Sequence, residues 1–157
     1  MDAAERERLI AQYEDGYQAV QAALEGISEA ELDAREAPGE WNPREIVHHL
    51  ADSEMTSAIR LRLLVAQDAP TIIGYDQEAF VANLFSDRPI EPSLAAFAAA
   101  RASTAPILRR LSDEQWQRSG THSESGPYAV VDWLRIYAAH GHDHADQIRR
   151  ARATVVG

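Results

Sequence analysis

Six histidines stand at positions 48, 49, 122, 140, 142 and 144, and five of them fall in two tight groups. Imidazole is the side chain best suited to bind a divalent ion or move a proton near neutral pH. The chain contains no cysteine. That removes disulfides, Cys-zinc sites, thiolate nucleophiles and iron–sulfur clusters together, and leaves His, Asp and Glu as the metal ligands on offer. His140 and His144 are four residues apart, one helical turn, the spacing at which two imidazoles can approach one ion, as the two histidines of H-E-x-x-H do.

These residues need helices to position them, and the sequence supplies two. At about 100° per residue, a helix running from Val130 to about Ala153 puts Val130, Leu134, Tyr137, Gly141, Ala145 and Ile148 on one face. His140 and His144 lie on the edge of that face beside Trp133, while His142 points away, toward solvent or behind the site at best. Asn42 followed by Pro43 is an N-cap and first-turn pattern that starts a second helix, running to about Ala66. Its apolar face is centred on Ile46, Leu50, Leu61 and Leu64, with His49, Ser53 and Arg60 along one margin and His48 turned further round toward water. If these two helices pack together, His49 meets His140 and His144. Three neutral imidazoles at roughly 2.0–2.1 Å make a site for zinc or a similar divalent ion, with positions left for water or substrate.

The conservative alternative is a set of hydrogen-bonded core histidines. His122 sits in a polar turn cluster, Thr121 to Pro127, and reads as a locally hydrogen-bonded loop residue rather than a fourth ligand. Asp52 and Glu54, near His49, could supply an acid–base group or accept an imidazole N–H. Glu54 falls near the centre of the apolar face, where an unpaired carboxylate is costly. A partner such as Arg101 or Arg60 is therefore expected.

The rest of the chain reads as helices and loops. Leu9, Ile10, Tyr13, Tyr17, Val20 and Leu24 define a first helix from about Ala3 to Leu24, and Ser28 to Glu31 form a capping box. Asp76 caps a short helix through Phe80 and Leu84 in the connection from Gln67 to Pro92. A third long helix is expected from Ser93 to Leu111, with a bend at Pro106, followed by a capped turn from Ser112 to Trp116. Nothing alternates convincingly with period two, so no strand is expected. The 157 residues, 45% of them apolar, fit one domain over 1–157. The fold class is all-α, an up-down-type four-helix bundle with short extra helices in its connections.

Charge and hydropathy narrow the partners. Asp and Glu number 25 against 15 Lys and Arg, a formal net charge of -10, which repels a polyanion and argues against nucleic-acid binding. No run approaches the roughly 18 apolar residues of a membrane span. The charged N-terminus lacks the pattern of a signal peptide. A cytoplasmic protein acting on a small molecule is the expectation.

The stretch Trp41-Asn42-Pro43-Arg44-Glu45-Ile46-Val47-His48-His49-Leu50-Ala51-Asp52-Ser53-Glu54 and the later run from His140 to Ile148 resemble the DinB-like superfamily, within it the YfiT-like group of metal-dependent hydrolases and bacillithiol-type S-transferases. The resemblance covers Trp41 to Arg150 and includes Ile59-Arg60-Leu61-Arg62 and the connection carrying Tyr75-Asp76. It implies a four-helix bundle holding one divalent cation, zinc or nickel, through His49, His140 and His144, with a low-molecular-weight thiol as cosubstrate. It also implies a homodimer, a state in keeping with the apolar side chains of Trp116, Phe80, Phe85 and the Leu94–Ala102 stretch. The alternative is that the segment from Gln67 to Pro92 folds back over that surface. Three activities stay open: thiol transfer, hydrolysis by metal-activated water, and a non-catalytic, stress-induced metal-binding or scavenging module. No catalytic residue beyond the ligands is legible.

Overall fold

The computed structural model describes residues 1–155; the last two positions of the expected 1–157 domain lie outside the described residues. In chain order the elements are α1 (Ala3–Leu24), α2 (Glu29–Leu32), α3 (Pro43–Ala66), β1 (Thr71–Ile72), α4 (Gln77–Asn83), α5 (Glu91–Leu108), α6 (Asp113–Trp116), β2 (Ser119–His122), β3 (Gly126–Ala129) and α7 (Val130–Ala153). The caps expected at Ser28, Asn42, Asp76 and Ser112 are in place, and Asp2 adds one that was not foreseen. Asp2, Ser28, Asn42, Asp76 and Ser112 each accept a backbone N–H in the first turn of the helix they precede, which satisfies donors that have no partner inside the helix.

Helix α5 begins two residues before the expected Ser93 and ends at Leu108 rather than Leu111. Pro92 fits a first turn, where its missing N–H costs nothing, and Pro106 withdraws a donor two residues before the helix ends.

The four long helices form the expected bundle, and their directions are specific. Contacts Arg135–Glu5, His142–Gln12 and Arg152–Ala23 step along α1 and α7 together, so these two run parallel. His48–Ser93 and Arg62–Thr104 step along α3 and α5 in the same way. Trp133–Ser57 and His140–His49 run in opposite senses, so the two pairs are antiparallel to each other. The order is up, down, down, up, a refinement of the up-down expectation. Because α3 and α5 are parallel neighbours, the chain between them must return along the length of the bundle.

A small sheet was not foreseen. β1 pairs parallel with β2, and β2 antiparallel with β3, which ties the α3–α5 connection to the chain leading into α7. The strand residues Ser119-Gly120-Thr121-His122 alternate in exposure but carry no apolar character, so a hydropathy pattern has nothing to register.

The core has two lobes. One gathers Leu9, Ile10, Leu61, Leu64, Leu108, Trp116 and Trp133, the other Val20, Ile46, Leu50, Phe97 and Ile148. Trp116, one of the residues expected in surplus, is thus core, whereas Phe80 and Phe85 are exposed.

Between the lobes lies Arg101, 3% exposed, which reaches all four long helices. From α5 its guanidinium donates to Glu54 on α3 at 2.6 Å, to the Tyr137 carbonyl on α7 at 3.0 Å and to the Tyr13 carbonyl on α1. It also lies over the Tyr13 ring, 4.4 Å from its centroid. Gly16 makes room: a Cβ there would sit 2.2 Å from Arg101 Nη1. Removing one member of a buried pair strands the other, so Arg101→Leu is expected to cost about 3–5 kcal/mol in denaturant unfolding. Adding Glu54→Leu should recover much of that loss. A single variant as stable as the parent would show that the pair is not what joins the helices.

Candidate metal centre

Helix α3 brings in His49 and helix α7 brings in His140 and His144, and their ligand nitrogens lie within 4.8 Å of one another. The Nε2 atoms of His49 and His140 face each other at 3.3 Å. Two nitrogens bound to a tetrahedral ion at about 2.0–2.1 Å stand about 3.3–3.4 Å apart, so this pair already has the spacing of ligands. The three rings meet edge to face, with centroids 4.7–5.3 Å apart.

The outer nitrogen of His144 is accounted for, and that of His140 is not. His144 Nδ1 lies 2.9 Å from Gln147 Oε1; an amide oxygen only accepts, so Nδ1 carries the proton and Nε2 presents its lone pair inward. His140 Nδ1 is buried without a hydrogen-bond partner, 3.8 Å from Glu54 Oε1. Glu54 is itself held by Arg101 and by the Tyr13 hydroxyl at 3.3 Å. The expected carboxylate partner is therefore Arg101, not Arg60. Trp41 closes the other side, 4.7 Å from the His49 ring and stacked at 17° on His144.

Burial sets the protonation state. Desolvation, reinforced by His144 and His140, pulls His49 down to about 3, and desolvation with His140 pulls His144 down to about 4 against the opposing Gln147 contact. Both are neutral at pH 7, the form that binds metal.

The other histidines lie apart from this cluster. His48 was expected to face water but is 2% exposed, because α5 packs on that side: its Nδ1 meets Ser93 Oγ at 2.8 Å and its Nε2 the Arg88 carbonyl at 3.3 Å. His142 is not in open solvent either. It is half-buried, with Nε2 3.0 Å from the Gln12 carbonyl. His122 lies on β2 and accepts a local N–H from Glu124, as a locally bonded residue should. Asp52 is half-buried, and burial raises its carboxyl; the carboxylate beside an imidazole is that of Glu54.

A cavity of about 550 Å³ opens beside the cluster, lined by His49, Ser53, Arg60, Tyr75, Tyr137 and His140 among others. Its size is that of a small-molecule site. Trp41 and Tyr75 stood in the motifs of the family resemblance, but neither the stacking role of Trp41 nor the cavity position of Tyr75 was anticipated. Gln147 was findable, three residues after His144 on the same helix.

The family described as the DinB superfamily matches residues 12–148. A "Putative metal-dependent hydrolase" of Oceanobacillus iheyensis is 34% identical over 122 residues, 78% of this chain and 71% of that one. The Bacillus subtilis protein of the same description, YfiT, is 33% identical over 129 residues, 80% of this chain and 72% of its own. The solved structure of YfiT, described as having "an unusual four-helix bundle topology", superposes with a TM-score of 0.93, covering 99% of this chain and 90% of that one at 27% identity. A mycothiol-dependent maleylpyruvate isomerase shares the fold at a TM-score of 0.72 and 13% identity, over 91% of this chain and 60% of its own.

An imidazole kept neutral by folding takes up its proton on unfolding, so acid favours the unfolded chain between the unfolded value, about 6.5, and the folded one. Metal-free protein should therefore lose thermal stability as pH falls from about 7 to about 5.5, by up to about 1.4 kcal/mol per pH unit for each such histidine. His49→Leu should flatten the slope. A melting temperature constant across that interval would contradict the buried neutral state.

Proposed function

The chain belongs to the DinB superfamily, and we propose that it is a divalent-metal-dependent enzyme in which His49, His140 and His144 hold one ion, zinc or nickel, and a low-molecular-weight thiol is the nucleophile. One observation carries this reading: three imidazole nitrogens converge within 4.8 Å, two of them, from His49 and His140, at the wall of a cavity, with no fourth ligand joining them among the described residues. A closed set of four would favour a structural staple, whereas three leave a position for a reactant. When bound, the cation would keep its full charge, since neutral imidazoles do not offset it, and would lower the pKa of a coordinated thiol or water.

The chain's own residues do the rest. Gln147 fixes the His144 tautomer, Glu54 places a carboxylate 3.8 Å from His140 Nδ1, and Trp41 keeps bulk water from one side. With no cysteine in the chain, a thiol nucleophile must arrive with the cosubstrate. Hydrolysis is the second reading, favoured by the description that the Oceanobacillus and Bacillus relatives carry.

The proposal extends to a homodimer of this 17.4 kDa chain. Met55 and Ile59 on α3 are 47% and 58% exposed and flank a groove against Ala96, Ala99 and Ala100 of α5. Sedimentation at micromolar concentration should give twice the chain mass; a single species at the chain mass, unchanged by added metal, would refute the dimer.

His144→Ala should abolish stoichiometric zinc or nickel uptake, measured by elemental analysis after gel filtration, while His142→Ala should retain it. A panel of glutathione, bacillithiol and mycothiol with a chromogenic electrophile should show metal-dependent coupling lost in His144→Ala. Uptake that survives in His144→Ala would overturn the ligand set. Metal-dependent turnover of an ester or amide with no thiol present would shift the reading to hydrolysis.

A further inference from the structure

The cavity holds a second polar group besides the imidazoles. Arg60 projects into it from α3, on the same margin as His49 and Ser53. Its Nη2 donates to the Ile73 carbonyl at 2.8 Å, but its Nε is buried with no acceptor. No carboxylate of the described residues lies within 4.0 Å of it, although the protein carries 25 acidic residues against 15 basic ones. Tyr75 lines the same wall, its ring 5.8 Å from the guanidinium, and its hydroxyl is likewise buried and unpartnered. Two acidic side chains also line the cavity, but neither pairs with Arg60: Asp76 caps α4 at 2.9 Å, and Glu124 is exposed.

We infer that Arg60 and Tyr75 form an anion-recognition subsite for a carboxylate on the small molecule that reacts beside the three imidazoles, an inference that rests on the metal-dependent reading above. A buried guanidinium N–H and a phenol O–H, both without acceptors, are costly until something accepts from them. A carboxylate does so with charge-assisted bonds, and its planar pair of oxygens matches the guanidinium fork. His49 and Arg60 lie on one face of α3 and line the same cavity. His49 and Arg60 are eleven residues apart on one helix, about 16 Å along its axis, and the long Arg60 side chain leans back toward the N-terminus and hence toward His49. The acid end would sit at Arg60 and the reacting end at the imidazoles.

Calorimetric titration of mercaptopropionate, mercaptopropionamide and mercaptoethanol into zinc-loaded protein, and of succinate and succinamide into chelator-treated protein, tests this. The acids should bind about tenfold or more tighter than the neutral amides, in keeping with a charge-assisted pair. Arg60→Gln should erase that preference at unchanged zinc content and circular dichroism, and Arg60→Lys should restore part of it. Equal binding of acid and amide, absence of saturable acid binding, or a preference that survives in Arg60→Gln would each overturn the inference. A protein that takes up no zinc yet still prefers succinate to succinamide through Arg60 would remove the metal function and support the subsite.

Discussion

Arg101 donates at once to Glu54, to the Tyr13 carbonyl and to the Tyr137 carbonyl, and the remaining architecture is arranged around that one buried guanidinium. A charge so buried is costly unless every surrounding acceptor is in place, and here those acceptors come from the three other long helices. Meeting them fixes the axial position of α1, α3 and α7 relative to α5. Glu54, held in this way, stands 3.8 Å from His140 Nδ1, so the interaction that sets the helix register also sets the back of the histidine cluster. The Tyr13 hydroxyl is part of the same unit, and burial together with the Glu54 charge raises it far above the ordinary phenol range.

A second constraint follows from the helix directions. Parallel neighbours cannot be joined by a short turn, so the segment between α3 and α5 returns along the bundle and passes over the cavity. The three-stranded sheet anchors it there, with Ser123 donating its N–H to the Ile72 carbonyl at 2.8 Å and accepting from the Gly74 N–H at 2.9 Å. Tyr75 reaches the cavity from this anchored segment. Close packing of α1 on α7 completes the arrangement: a Cβ at Gly141 would fall 2.9 Å from the Gly16 carbonyl oxygen. That spacing admits glycine on α7 one residue after His140.

Much of this was legible in the residues because helices have a fixed period. The Asn42-Pro43 start and the wheel positions of His49, His140 and His144 follow from local sequence, and so does the need of Glu54 for a cationic partner. What escaped depends on neighbours far along the chain. A wheel gives the direction of His48 but not that α5 covers it, nor that α1 offers a carbonyl to His142. Trp41 precedes α3 and has no helical period to place it. The hairpin strands owe their pairing to backbone bonds and to Tyr128 packing, not to alternating hydropathy. Arg60 stood beside Arg101 as a candidate partner for Glu54; it lies six residues on along the same helix, about 240° round from Glu54, and the arginine that arrives comes from α5, which local sequence does not reveal.

The central proposal is that three imidazoles, one oriented by Gln147 and one backed at 3.8 Å by the Arg101-held Glu54, ligate one divalent ion and leave a position for a reactant. X-ray absorption on zinc-loaded protein measures this directly. The account predicts three imidazole nitrogens at about 2.0–2.1 Å, with the remaining scatterer changing from oxygen to sulfur when a thiol is added. Fewer than three imidazoles, or a shell that thiol leaves unchanged while a carboxylate of the chain fills it, would contradict the account.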